Sequence, residues 1–179
     1  MSVALNLSAI PAVFRKLERE QYRAFHARRP LHKADHFVNF CVTAHSLRDY
    51  VLEHHGKLTD SERAPYHLEW SSRPLLQAVS EVANSAKHFV LRTSSGKAKI
   101  LKTRRVAAAH SDFVDVYLAR DEALINRFRR GPDIVIALSN GCRYDLYGFT
   151  ADVVTYWRTY LRDAGFRVRR QALSALAQA

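Results

Sequence analysis

The sequence predicts a mainly helical α+β fold, an approximately four-helix bundle carrying a small antiparallel sheet. Three observations predict it. Apolar residues recur at helical spacing through the N-terminal half. Near the C-terminus, Asn140-Gly141 is flanked by Val135–Leu138 and Arg143–Leu146, the pattern of a tight hairpin. A last helical stripe follows Thr150. With 179 residues and 47% hydrophobic content, the chain can bury one sizeable core. No repeat or linker divides it, so residues 1–179 read as a single domain.

The first helix is expected from Ala9 to Arg28, with Pro11 in its first turn, Pro30 ending it, and Ile10, Phe14, Leu17 and Phe25 inward. The second is expected from Leu31 or Lys33 to His55, stopped by Gly56. Residues 57–72 read as a polar connection with a short helix over Asp60–Glu69. The third helix has Ser72 as its expected cap and Pro74 in its first turn. Its inward stripe is Leu75, Val79, Val82, Ala86 and Phe89. Thr93–Gly96 is a loop, and Lys99–Ala107 and Phe113–Leu118 read as strands. In the hairpin, Asn140-Gly141 is expected to be the whole two-residue turn. Thr150 is the expected cap of a helix over Ala151–Asp163, with Val153, Val154, Trp157 and Leu161 inward and Gly165 ending it. Residues 166–179 are basic and then Ala/Leu-rich, a short helix or a disordered tail.

The formal charge is +11. Arg15, Lys16, Arg19, Arg23, Arg28, Arg29 and Lys33 form one basic group. Lys97, Lys99, Lys102, Arg104 and Arg105 form a second, and Arg158, Arg162, Arg167, Arg169 and Arg170 a third. Such a field attracts polyanions, of which nucleic acid is the commonest. No helix-turn-helix spacing, RNP aromatics or zinc ligands accompany it. No segment is long and apolar enough for a membrane span, and Met1–Phe14 lacks a basic leader, so neither a membrane partner nor a signal peptide is expected. Cys41 and Cys142 sit in apolar patterns and read as small core residues in a reducing, cytoplasmic setting.

The sharpest clue is Arg48. Phe37, Phe40, Cys41, Ala44, Leu47, Val51 and Leu52 mark one helical stripe, and Arg48 projects within it, with His55 two turns further along. A guanidinium on an apolar face must meet a carboxylate, a carbonyl, a ligand or another subunit, because an unpaired buried charge is costly. His45 and Asp49 stand one turn apart on this helix, and Asn84 and His88 one turn apart on the next, beside Lys87. These residues form either a polar cleft or an inter-helix hydrogen-bond network that sets register. His32 and His36 share a helix face but lack a third ligand, so they read as a surface pair and not a metal site. No phosphate loop or nucleophile elbow is present, and no cofactor is expected.

Arg48 followed by His54 and His55 resembles the Arg-x(4–6)-His motif of the HEPN superfamily, helical-bundle proteins that include metal-independent RNases of toxin and defence systems. The resemblance implies RNA as partner and a site shared across a homodimer. Arg48, Asp49, His54 and His55 would be its catalytic residues, with His45, Asn84, Lys87 and His88 contributing to binding. A guanidinium fork suits a phosphate and its transition-state charge, and an imidazole suits proton transfer. The segments Thr43–Val51, Val82–Phe89 and Tyr156-Trp157 also resemble a group of small uncharacterised bacterial proteins, from which no activity carries over. The competing expectation is a non-enzymatic basic protein binding nucleic acid or an acidic partner. Arg48 would then be ion-paired with Asp49, Glu53 or Glu81.

Overall fold

Helices α1 (Ile10–His26) and α2 (Pro30–His54) zip together antiparallel, as contacts between Ala24 and Lys33 and between Glu20 and His36 show. The structure is a computed structural model that describes residues 10–85, 105–118 and 124–168, with the backbone alone at 105, 113–118 and 124–129. After α2 come α3 (Asp60–Ser72), α4 (Pro74–Ser85), β1 (Arg105–Leu118), β2 (Leu124–Ala137), β3 (Arg143–Tyr144) and α5 (Leu146–Asp163). The expected mainly helical α+β class holds, with five helices among the described residues.

The apolar stripe of α2 makes it the central helix. Phe37, Phe40, Cys41, Ala44, Leu47, Val51 and Leu52 are all buried. Each large side chain among them favours folding by about 1.5–3 kcal/mol relative to exposure. Burial pushes the Cys41 thiol far above its ordinary pKa, so it stays a neutral core group. Gly56 ends α2 as expected: at φ +66° it lets its own N–H reach Glu53 O and that of Lys57 reach Leu52 O.

Several boundaries differ from the sequence reading. Pro30 does not close α1; it opens α2, where its missing N–H has no helical partner to lose. Lys33 is no part of a basic surface. It is 1% exposed, and its Nζ donates to the carbonyls of Ala24 and Phe25 at 2.9 and 2.8 Å, closing the end of α1. The connection holds a full helix, because Thr59 and Glu62 form a capping box at the start of α3. Ser72 belongs to the end of α3, where its hydroxyl donates to Glu69 O, and it does not cap α4. Ala86 and Phe89, assigned to the inward stripe, lie outside the described residues.

The sheet is antiparallel in the order β1-β2-β3. Instead of two short strands, a continuous β1 pairs along its full length with β2, from Arg105↔Ala137 to Leu118↔Leu124. The run Ala107–Ala109 is helix-favouring in isolation, but here it pairs with Val135, Ile134 and Asp133. Ile134, Ile136 and Leu138 alternate inward onto the helices. The hairpin exists, but its turn holds three residues. Leu138 N–H donates to Cys142 O and Gly141 N–H to Leu138 O, so Ser139–Gly141 form the loop and Gly141 takes φ +90°. Cys142 therefore sits exposed at the loop and not in the core.

Helix α5 begins five residues earlier than expected. Asp145 is its N-cap, accepting Gly148 N–H at 2.6 Å, whereas Thr150 is buried inside the helix and donates to Leu146 O. Gly165, at φ +85°, ends it, and Phe166 N–H reaches back to Leu161 O. Phe166 and Val168, assigned to the tail, pack against the edge of the core; residues 169–179 lie outside the description.

Candidate functional site

Where α2, α3, α4 and α5 converge, they leave a cavity of about 80 Å³. Helix α2 contributes Ala44, His45 and Arg48, α3 contributes Trp70 and Ser71, α4 contributes Leu76, Gln77, Val79 and Ser80, and α5 contributes Trp157. The helix periods explain the convergence: Ala44 and Arg48 are one turn apart on α2, and Leu76 and Ser80 likewise on α4.

Arg48 has no carboxylate partner among the described residues. Its Nη2 lies 3.0 Å from His45 Nε2, and its Nε is buried with no hydrogen-bond partner. A guanidinium only donates, so that contact is a hydrogen bond only when His45 Nε2 is unprotonated. Burial pulls the Arg48 pKa down and the Asp49 charge opposes this, yet an arginine remains cationic at any ordinary pH. Asp49 itself is exposed on the solvent side of α2. Glu53 is exposed near the helix end, and Glu81, though buried, does not pair with Arg48.

The indole rings of Trp70 and Trp157 are each 1% exposed and lie 5.8 Å apart. Tyr66, Tyr156 and Tyr160 complete an aromatic cluster around them, with centroids 5.5–6.0 Å apart. Trp157 Nε1, like Arg48 Nε, is a buried donor without a partner. The Tyr156 phenol is pushed up to about 12, by burial first and then by the charge of Glu69. Arg73 stands over its ring at 5.1 Å.

The structure separates the residues that the sequence grouped. His54 and His55 are exposed at the end of α2; their rings are 5.6 Å apart, and His54 packs on Phe166 at 4.7 Å. A rise of 1.5 Å per residue puts His55 about 10 Å along the axis from Arg48. Neither lines the cavity. Asn84 reaches the site indirectly, donating to Ser80 Oγ at 3.3 Å. Lys87 and His88 lie outside the described residues. His36 Nδ1 donates to Glu20 Oε2 at 3.1 Å, and His32 is exposed on the same helix.

Sequence reasoning missed His67. It lies on α3 outside the cavity lining, and its pKa is held below the ordinary value of 6.5, by burial first and then by the Arg48 charge. Its Nδ1 is buried without a partner and its ring is 6.1 Å from Trp70. No local motif could have flagged it, since it lies 19 residues from Arg48 on another helix.

A second cavity, of about 320 Å³, lies between α2, the end of α4 and the sheet. Its walls are mostly apolar, including Phe37, Val38, Val82 and Ile134. Its buried Asp133 is already held by Ser111 Oγ and the Ile134 N–H. It offers an anion nothing comparable to Arg48.

Comparison of the chain with protein families, with characterised proteins and with solved structures finds no match.

Proposed function

We propose that this protein binds RNA in the manner its HEPN resemblance implies, with Arg48 holding a phosphate. The observation that carries the reading is a half-buried guanidinium with no carboxylate partner among the described residues, lining a cavity of mixed polar and apolar walls. An ion pair, the basis of the competing expectation, would place a carboxylate beside it; none of the described ones is there. The chain's charge of +11 supplies the sequence-independent attraction that RNA binding needs.

The resemblance also implies cleavage, and here the geometry favours different histidines. Arg48 would stabilise charge on the phosphate. His45, in contact with Arg48, or His67, whose pKa is held below its ordinary value by burial and then by the Arg48 charge, would take the proton of the 2′-hydroxyl. His54 and His55 are too far along the helix for that step.

The test is RNA binding and cleavage by wild type, Arg48→Ala, His45→Ala and His67→Ala across a salt series. Binding should be tight at low salt and weaken steeply as salt rises, by release of counterions from the RNA. Binding that is absent at low salt or indifferent to Arg48 sinks the reading. Any cleavage should vanish in Arg48→Ala and survive His54→Ala and His55→Ala. The reverse dependence would restore the motif histidines and overturn the reassignment.

A further inference from the structure

We propose that the corner joining α1 to α2, with Tyr147 at the start of α5, is a platform for single-stranded RNA. An unpaired base stacks on Tyr147, and its flanking phosphates meet Arg28 and Arg29. That the strand is RNA rests on the reading above; that it is single rests on the corner itself.

The corner is basic and aromatic at once. Residues 21–34 include Arg23, Arg28, Arg29 and Lys33 and no acidic residue. Within the fold these cations divide. Arg23 pairs with Glu20, and Lys33 is buried on the carbonyls of Ala24 and Phe25. Arg28 and Arg29 are exposed, and neither meets a carboxylate among the described residues. They follow Phe25 by three and four positions, so their Cα atoms lie within about 15 Å of its own.

The ring is what singles out a base. Tyr147 is 57% exposed, and its ring rests against Phe25 at 5.2 Å between centroids. Phe25 is itself fixed: Lys33 Nζ stands 5.8 Å from its ring and donates to its carbonyl at 2.8 Å. Tyr147 therefore leans on a held neighbour with more than half its surface open. Its closest acid in sequence, Asp145, is occupied as the cap of α5, accepting Gly148 N–H.

Charge alone serves a duplex as well as a strand, since both present phosphates. A duplex hides the faces of its bases. A single strand exposes them, and any base stacks on an aromatic ring. An exposed ring beside unpaired arginines therefore favours the strand. An anionic membrane would also attract the arginines, but Leu31, 70% exposed, and Tyr147 give it little apolar surface to take up. Pro30 precedes Arg48 by 18 positions, about 27 Å along α2, so the platform and the cavity can be lost independently.

The experiment uses the full chain and one RNA sequence as a single strand, as a duplex with its complement, and as an abasic strand of equal length. Tyr147→Ala should weaken the single strand at least about fivefold and the other two by less than about twofold. Tyr147→Phe and Tyr147→Trp keep a ring and should keep strand affinity. Arg28→Ala with Arg29→Ala should weaken all three ligands and flatten their salt dependence. No loss in Tyr147→Ala, or an equal loss for all three, overturns the platform.

Arg48→Ala separates this inference from the reading it rests on. Strand binding that needs Tyr147 but not Arg48 overturns that reading and leaves the platform standing. Binding that needs Arg48 but not Tyr147 overturns the platform alone, and wild type that binds no RNA at low salt overturns both. Tyr147-dependent binding to phosphatidylserine vesicles, with strand and duplex bound alike, overturns it in favour of a membrane surface.

Discussion

At the scale of single residues, two arginines stand in opposite settings. Arg158 donates to Glu18 Oε1 at 2.8 Å and stands 5.6 Å from the Phe14 ring, so its charge is matched. Among the described residues, Arg48 hydrogen-bonds to an imidazole and to no carboxylate. Substituting Arg48 by Ala strands no carboxylate, so it should cost about 1 kcal/mol or less, mostly lost packing of its stem. A thermal melt checks this, and a loss of about 3–5 kcal/mol would mean a buried ion pair after all. His67 gives the second residue-scale prediction. Its folded pKa is depressed, so the native state binds fewer protons than the unfolded one below the ordinary value of 6.5. Its contribution to stability is therefore complete above that pH and is lost as pH falls through the folded value. NMR titration should place the His67 midpoint below 6.5 in wild type and higher in Arg48→Ala, which removes the second-largest cause of the shift. An unchanged midpoint would separate the two side chains.

At the scale of elements, helix ends carry most of the local specification. Gly56 and Gly165 close α2 and α5 with the same paired carbonyl contacts, and Thr59 with Glu62 opens α3. Asp145 opens α5, the helix that brings Trp157 and Arg158 to their places. Replacing Asp145 by Ala should destabilise by about 1 kcal/mol, read in a denaturant titration. Replacing Thr150, the cap expected from sequence, should instead remove a buried group that bonds Leu146 O inside the helix. If Thr150→Val unfolds the start of α5 while Asp145→Ala is silent, the cap assignment is wrong.

At the scale of the whole molecule, Glu18 and Arg158 tie the first helix to the last across 140 positions of sequence. Glu18 is 5% and Arg158 22% exposed at the side chain, and Glu18 Oε2 has no partner to spare. Arg158→Ala should therefore destabilise by about 3–5 kcal/mol, the cost of an uncompensated buried carboxylate. The double variant Arg158→Met with Glu18→Leu should recover much of that loss, and chemical denaturation of the three proteins checks both statements. The same pair corrects the picture of the surface. Arg158, Lys33 and Arg23 are engaged within the fold, so the positive field at the surface comes from residues such as Arg15, Arg28, Arg29, Arg162 and Arg167, which are exposed. Among the described residues, no helix is long and apolar enough to cross a membrane.

The sequence by itself determined the elements that local chemistry specifies. The α2 stripe, its Gly56 stop, the Gly165 stop and the hairpin around Asn140-Gly141 are written in spacing and in residues that tolerate positive φ. It also singled out Arg48, since a charge within an apolar stripe is visible in one helix alone. Boundaries set by competing caps were not legible: Thr150 and Asp145 are both good N-cap residues, and the packing of Leu146 and Phe149 into the core chose the earlier one. Nor was a fourteen-residue β1 legible through Ala107–Ala109, where pairing with β2 overrides propensity. Only the tertiary structure decided what Arg48 faces. Distances along one helix favoured His55, but helix packing brought Trp70 from α3, Ser80 from α4 and Trp157 from α5 to the cavity that Arg48 lines, and put His67 within reach of its charge. A site assembled from four helices depends on how they cross, and crossing is set by side chains that meet only after folding.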